Sequence, residues 1–156
     1  MRSSNIRRSI RTMASAGLLL ATCGTLAAAE ATPPVKALPL DKAITVAQAA
    51  LAQCKANGYN VTVMVMDTDY ATRLVLRSDA AAARTVEIAR RKAYTVIKTG
   101  MSSGDFGKTV PAPATPAAPR PPGSMPPGVN GDDNLITFAG GKQIVVGGEV
   151  LGAISV

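Results

Sequence analysis

A proline-rich segment limits the regular structure that this chain can form. Eight of the 11 prolines in the 156-residue chain fall within residues 108–133, where Ala, Gly and Ser separate most of them. Proline lacks a backbone N–H and fixes φ, so it is excluded from helix interiors and from central strands. We therefore predict a long surface loop with polyproline character over 108–133, with regular structure on either side of it.

The N-terminal residues have the three parts of a secretory signal peptide. Four arginines and no acidic residue precede an apolar Ala/Leu-rich stretch, Ala14–Leu26, and the small residues Ala27–Ala29 stand before Glu30. The apolar stretch is too short for a stable membrane anchor. We predict a signal peptide over residues 1–29, a lead over 30–39, and a periplasmic or secreted mature protein without a membrane span.

Two variants of export stay open, and export bears on the cysteines. Arg7-Arg8 has twin-arginine character, and Leu20–Cys23 resembles a lipoprotein box faintly.

After cleavage of the signal peptide, Cys54 would be the one remaining cysteine. Such a cysteine in an oxidising compartment is buried, reactive or without its partner. Its position on an apolar helical stripe favours a small core residue.

The composition excludes several classes of function. Histidine is absent, which rules out histidine zinc ligands, Ser-His-Asp and Cys-His catalysis, and a histidine-ligated haem iron. Removing the four signal arginines leaves 13 of the 17 basic residues against 10 acidic ones, a net charge of +3. That charge favours solubility and does not indicate nucleic-acid binding.

Hydrophobic periodicity predicts two helices around a hairpin. Apolar residues at spacings of three and four indicate helices over Leu40–Asn57 and Ala80–Thr99, the second ended by Gly100. Between them, Val61–Met66 is a strand without a strongly polar face, and we expect it to be central. Thr72–Arg77 follows after a short turn and is expected to pair with it in antiparallel fashion.

Glycine-punctuated strands are predicted after the proline-rich segment. These are Leu135–Phe138, Gln143–Val146 and Glu149–Val156, with Gly147-Gly148 forming a hairpin turn. The sequence ends inside the last apolar strand. We interpret this ending as a truncated sequence or a short member of its family.

The second helix carries an excess of positive charge. Against the single acidic residue Glu87 stand five basic side chains: Arg84, Arg90, Arg91, Lys92 and Lys98. Such a surface is typical of a solvated helix face, and it would equally suit an anionic ligand. Arg91 and Tyr94 are three residues apart and share a face, whereas Lys92 points about a quarter turn away.

Four segments resemble the GlcG/HbpS family of haem-binding (haem-degrading) domains. They are Leu51–Tyr59, Val63–Asp79, Ile88–Thr95 (IARRKAYT) and Ile136–Ile154, and the likeness spans about residues 40–156. The resemblance implies an α+β fold in a single domain, with a mainly antiparallel sheet flanked by helices. It also implies haem binding, in some members haem breakdown or iron handling, and a homo-oligomer.

The sequence departs from the family pattern in three places. Asp69-Tyr70 replaces a Gly-Gly turn, and Ser78–Ala81 replaces a Met-Asp-Gly-Ala run. The family's final helix is absent, so part of one sheet face is expected to be uncovered. In exported relatives that helix would carry the partner of Cys54.

The resemblance also implies which residues would hold haem. The nearest cations for the propionates are Arg77, Arg91 and Lys92, and Tyr94 is the favoured axial ligand. Other residues are weaker candidates for the ligand: Tyr59, Tyr70, Met101 and Cys54. An apolar slot for the porphyrin would be formed by Met64, Met66, Val96 and Phe138.

Two other classes of function stay open. One is binding of another small ligand, such as a corrinoid or an organic acid. The other is an assembly role in which the proline-rich loop contacts a partner or a neighbouring subunit. An enzyme is less well supported, because Asp67 and Asp69 lie beside a turn and suit turn hydrogen bonds better than acid–base chemistry.

Overall fold

Three helices and four strands form the regular structure in a computed structural model, which describes Lys36 and residues 38–112 and 119–156. The predicted signal peptide lies outside the described residues, as do most of the lead and residues 113–118. No described helix is long and apolar enough to cross a membrane. In chain order the elements are α1 Leu40–Ala56, β1 Thr62–Met66, β2 Thr72–Arg77, α2 Thr85–Thr99, α3 Ser103–Thr109, β3 Gly141–Val146 and β4 Glu149–Ser155.

The four strands form one antiparallel sheet in the order β2-β1-β4-β3. The predicted α+β fold with an antiparallel sheet is therefore confirmed, and so is the β1–β2 hairpin. Strand β1 is central and all of its residues are buried, as its lack of a polar face predicts.

Helices cover the two faces of the sheet. On one face α2 packs Ala89, Ala93 and Val96 against Met64 and Met66. The alanines let the helix approach closely, and each buried methionine contributes roughly 1.5–3 kcal/mol. On the other face α1 packs Ala43 and Ala47 against the β1 valines.

The α1 face of the sheet is covered unevenly. Helix α1 packs on β1 and β2, whereas Ile144, Leu151 and Ile154 of β3 and β4 are only partly buried on that face. The second helix ends at Gly100, with φ of 70°, as predicted.

One predicted helix start and one predicted strand are wrong. Helix α2 begins at Thr85 and not at Ala80, because Ala81 and the residues after it form turns; the carbonyl of Ala81 accepts a hydrogen bond from Arg77 at 2.9 Å. Leu135–Phe138 forms no strand and joins no sheet. Its backbone instead bonds to side chains of α2.

Helix α3 was not predicted, and it extends into the start of the expected loop. Ser102 caps it by accepting from the N–H of Asp105 at 3.1 Å, while the two side chains lie 2.6 Å apart. The arrangement differs from a capping box, because the Asp105 carboxylate accepts from the Ser102 hydroxyl and not from the Ser102 N–H. The described residues between Val110 and Asn134 contain no helix or strand beyond one isolated bridge, Val129 to Asp132.

Candidate functional site

A buried arginine of α2 holds the proline-rich loop in place. Arg91 is only 4% exposed. Its Nη1 donates to the carbonyl of Pro126 at 2.7 Å, and its Nη2 donates to those of Leu135 at 2.9 Å and Pro127 at 3.2 Å. Its Nε is buried without a partner among the described residues. The guanidinium therefore lies inside the wall between helix and loop.

Tyr94 contacts the same loop as Arg91. Its hydroxyl donates to Asp132 Oδ2 at 3.0 Å, and its ring lies 5.0 Å from that of Tyr70. The hydrogen bond to Asp132 raises the pKa of Tyr94, and bonds from Asn134 and then Tyr94 lower the pKa of Asp132. A phenol held as a donor with a raised pKa is poorly suited to ligate iron as a phenolate.

Arg90 pairs with acidic and amide groups. It makes two hydrogen bonds of 2.7 Å to the Glu87 carboxylate and a third, also 2.7 Å, to Asn134 Oδ1. These bonds tie the loop to α2 beside Tyr94. They leave Arg90 few free donors for an anionic ligand.

Lys92 points to the other side of the helix. Its Nζ donates to the Val156 carbonyl, and burial lowers the pKa of its ammonium group. The side chain lines a cavity of about 480 Å³ together with Cys54 and Tyr59. Tyr59 is 65% exposed, and its hydroxyl has no hydrogen-bond partner among the described residues.

A second cavity lies under the proline-rich loop. It measures about 380 Å³ and is lined by Arg84, the N-cap residue of α2, and by Ile88 of that helix. Arg120 of the loop and Phe138 of the segment after it also line the cavity. Phe138 is 44% exposed, a large fraction for an aromatic ring. The cavity thus combines apolar surface with two guanidinium groups.

The two cavities meet at Ile88, which lines both. Arg84, Ile88 and Lys92 recur every four residues, so they form one stripe along α2. The segment with Phe138 and Ala139 accompanies this stripe. We call the surface the α2 groove and define it by Arg84, Ile88, Lys92, Arg120, Phe138 and Ala139.

A third cavity, of about 610 Å³, lies beyond one end of the α2 groove. It shares Ala139 and Val156 with the cavity at Lys92, and its lining is mostly apolar. Lys108 stands at its edge but pairs with Asp105 at 2.6 Å. Lys142 is the other cation there.

The structure separates the residues that the resemblance assigned to haem. Lys92 and Phe138 lie in the α2 groove, Arg91 and Tyr94 lie against the loop, and exposed Arg77 lies at the end of β2 near α1. The three proposed apolar residues other than Phe138 are buried in the core: Met64, Met66 and Val96. Of the weaker ligand candidates, Tyr59 and Cys54 line the groove's Lys92 end, whereas Tyr70 stacks on Tyr94 and Met101 lies between α2 and α3.

The sequence does not indicate that Arg84 and Arg120 lie at the same cavity. Arg84 was one of five similar cations on α2, and only its spacing of four from Ile88 and of eight from Lys92 marks it as part of this stripe. Arg120 lies in the proline-rich loop, where no periodicity reports which side chains face inward.

Comparison with known proteins identifies the family of this chain. The family model described as "Haem degrading protein HbpS-like" matches residues 38–156. No curated protein matches the chain.

Solved structures share the fold at low identity. Klebsiella pneumoniae protein ORFY superposes with a TM-score of 0.62 at 21% identity, over 82% of this chain and 83% of that one. PduOC in complex with haem gives 0.60 at 19% identity, over 76% and 80%. HbpS gives 0.59 at 22% identity, over 83% and 82%. Since the family model covers most of the chain, this protein belongs to the HbpS-like family.

Proposed function

We propose that this protein is an exported haem-binding protein and that haem lies along the α2 groove. The observation that carries the proposal is the groove's pattern of apolar surface between cations. Haem is a flat apolar ring with two carboxylates, and it fits a slot of this composition. Membership of the HbpS-like family and the likeness to PduOC, solved with haem, support the same ligand.

The described residues fit the parts of haem. Ile88, Phe138 and Val61 offer apolar surface for the ring. Arg84, Arg120 and Lys92 supply positive charge at the two ends. When bound, haem would supply an iron centre for redox or oxygen chemistry. The tyrosine that the groove presents to such an iron is Tyr59 and not Tyr94.

Titration of the mature protein with hemin tests the proposal. We expect a saturable change in the Soret band at about one haem per chain. Tyr59→Phe should shift the spectrum, because Tyr59 lines the groove at Lys92. Tyr94→Phe, which also removes one hydroxyl, should leave it unchanged. Absence of saturable binding would contradict the proposal. A shift with Tyr94→Phe alone would restore the ligand that the resemblance implies.

Export is tested by the mass of the secreted chain. Expressed with its full N-terminus in a bacterium, the protein is expected in the periplasm or medium with Glu30 as its first residue. Intact-mass spectrometry reads the cleavage site directly. A full-length chain retained in the cytoplasm would contradict export.

Degradation and other ligands are outcomes of the same titration. The matched family is described as haem-degrading. Decay of the Soret band with iron release, in the presence of both a reductant and dioxygen as the oxidant, would extend binding to degradation. The two arginines near Phe138 favour an organic acid as the second candidate ligand. If the ligand is a corrinoid, the protein binds cobalamin and not hemin.

The homo-oligomer and the assembly role are tested by light scattering on the protein with and without residues 108–131.

A further inference from the structure

The basic side chain of Arg84, the N-cap residue of α2, differs from those within the helix. Arg90 forms an ion pair with Glu87. Arg91 donates hydrogen bonds to backbone carbonyls, among them that of Pro126, and Lys92 donates one to the carbonyl of Val156. Arg84 makes no ion pair or side-chain hydrogen bond with any described residue, and it lines the cavity under the loop. Its charge is therefore available to a ligand.

A second guanidinium lines the same cavity. Arg120 also has no carboxylate partner among the described residues, and the described lining of the cavity contains no acidic side chain. The Arg84 guanidinium lies over the loop, since a Cβ built on Gly123 would stand 3.8 Å from Arg84 Nη1. Arg84 therefore lines the cavity from the helix side, and Arg120 lines it from the loop side.

A cavity lined by two cations suits a ligand with negative charge. Both side chains are exposed at this cavity, and an anion bound there forms charge-assisted hydrogen bonds with their guanidinium groups. Guanidinium groups match carboxylates in planar geometry. Ile88 and Phe138 add apolar surface at the same place, so the suited ligand carries carboxylates on an apolar body.

We infer that Arg84 and Arg120 form the subsite for the two propionates of haem, an inference that rests on the proposed function. The porphyrin then extends from this subsite past Ile88 towards Lys92. Neither arginine lies among the residues that the resemblance assigned to haem. The assignment fixes the orientation of haem in the α2 groove, with its propionate edge under the proline-rich loop.

An esterified haem distinguishes recognition of the propionates by this subsite from binding of the porphyrin ring. The test compares hemin with hemin dimethyl ester, whose propionates carry no charge, on the unchanged protein and on the double variant Arg84→Gln, Arg120→Gln. We expect the double variant to lose roughly tenfold in hemin affinity for each arginine. The ester should bind both proteins equally, at about the affinity of hemin for the double variant.

A matched variant controls for net charge. Lys55→Gln, Arg73→Gln removes two exposed charges outside the groove and should leave hemin affinity unchanged. If the double arginine variant binds hemin as tightly as the unchanged protein, the subsite is overturned and haem binding stands. Equal losses for hemin and for its ester would also overturn it, since the arginines would then not act through carboxylates. If the unchanged protein binds neither compound, the proposed function itself fails.

Discussion

Arg91→Ala is expected to lower the free energy of unfolding by about 3 kcal/mol, because it leaves two carbonyls of the loop and the carbonyl of Leu135 without their buried donor. The three bonds join α2 to Pro126, Pro127 and Leu135, which are distant in sequence from the helix. In a domain of this size the loss corresponds to a fall in Tm of roughly 10 °C. Arg91→Lys should recover only part of it, since one ammonium cannot reproduce the planar guanidinium.

Differential scanning calorimetry measures the effect, and the neighbouring arginine is its control. Arg90 is a third exposed and pairs with Glu87, so Arg90→Ala should cost no more than about 1 kcal/mol. Limited proteolysis adds a local readout, since the loop of the Arg91→Ala protein should be cut faster. Equal Tm values for the two variants would contradict the role assigned to Arg91.

The same substitution links the loop to the candidate site. Pro126 lines the cavity with Arg120 and Phe138, so a loop released from Arg91 no longer holds that wall. Arg91→Ala should therefore weaken hemin binding as well. Unlike the Arg84 and Arg120 variants, it should weaken the ester by the same factor, because it acts on the wall and not on the carboxylates.

Most of the fold could be predicted from sequence because its elements have strong periodicity. The apolar stripes of α1 and α2 and the apolar β1 gave the correct element types, and Gly100 gave the end of α2. The wrong element was Leu135–Phe138, whose apolar pattern is that of a strand. Its backbone bonds instead to Thr95 and Arg91, and such pairing with side chains leaves no mark in a local pattern.

The site was less predictable than the fold because it depends on the path of the loop. Local spacing correctly placed Arg91 and Tyr94 on one helix face, but that face is covered by residues 126–135. A proline-rich segment has no hydrophobic period, so sequence alone does not report where it lies. The sequence does contain a signal for α3, because Ser102 followed three residues later by Asp105 is a pattern typical of a helix N-terminus.

Gly152→Ala is expected to have the largest effect of all, about 4 kcal/mol of lost stability. Gly152 is buried in β4 with φ of 150°, and a Cβ there would lie 2.2 Å from the Met66 carbonyl oxygen. The neighbouring group is backbone of the central strand β1, which cannot move without breaking the β1–β4 ladder. Backbone strain and overpacking each cost roughly 1–3 kcal/mol, and here both apply.

Gly58→Ala separates the two causes. Gly58 also has positive φ, 81°, but a Cβ there meets nothing within 4 Å, so only backbone strain applies, at a cost of about 1 kcal/mol. Thermal melts of both variants give the comparison, and a Tm for Gly152→Ala as high as that for Gly58→Ala would contradict the clash. Gly152 lies in Ile136–Ile154, one of the segments that resembles the family. The close approach of β1 and β4 gives a physical reason for a glycine at that position.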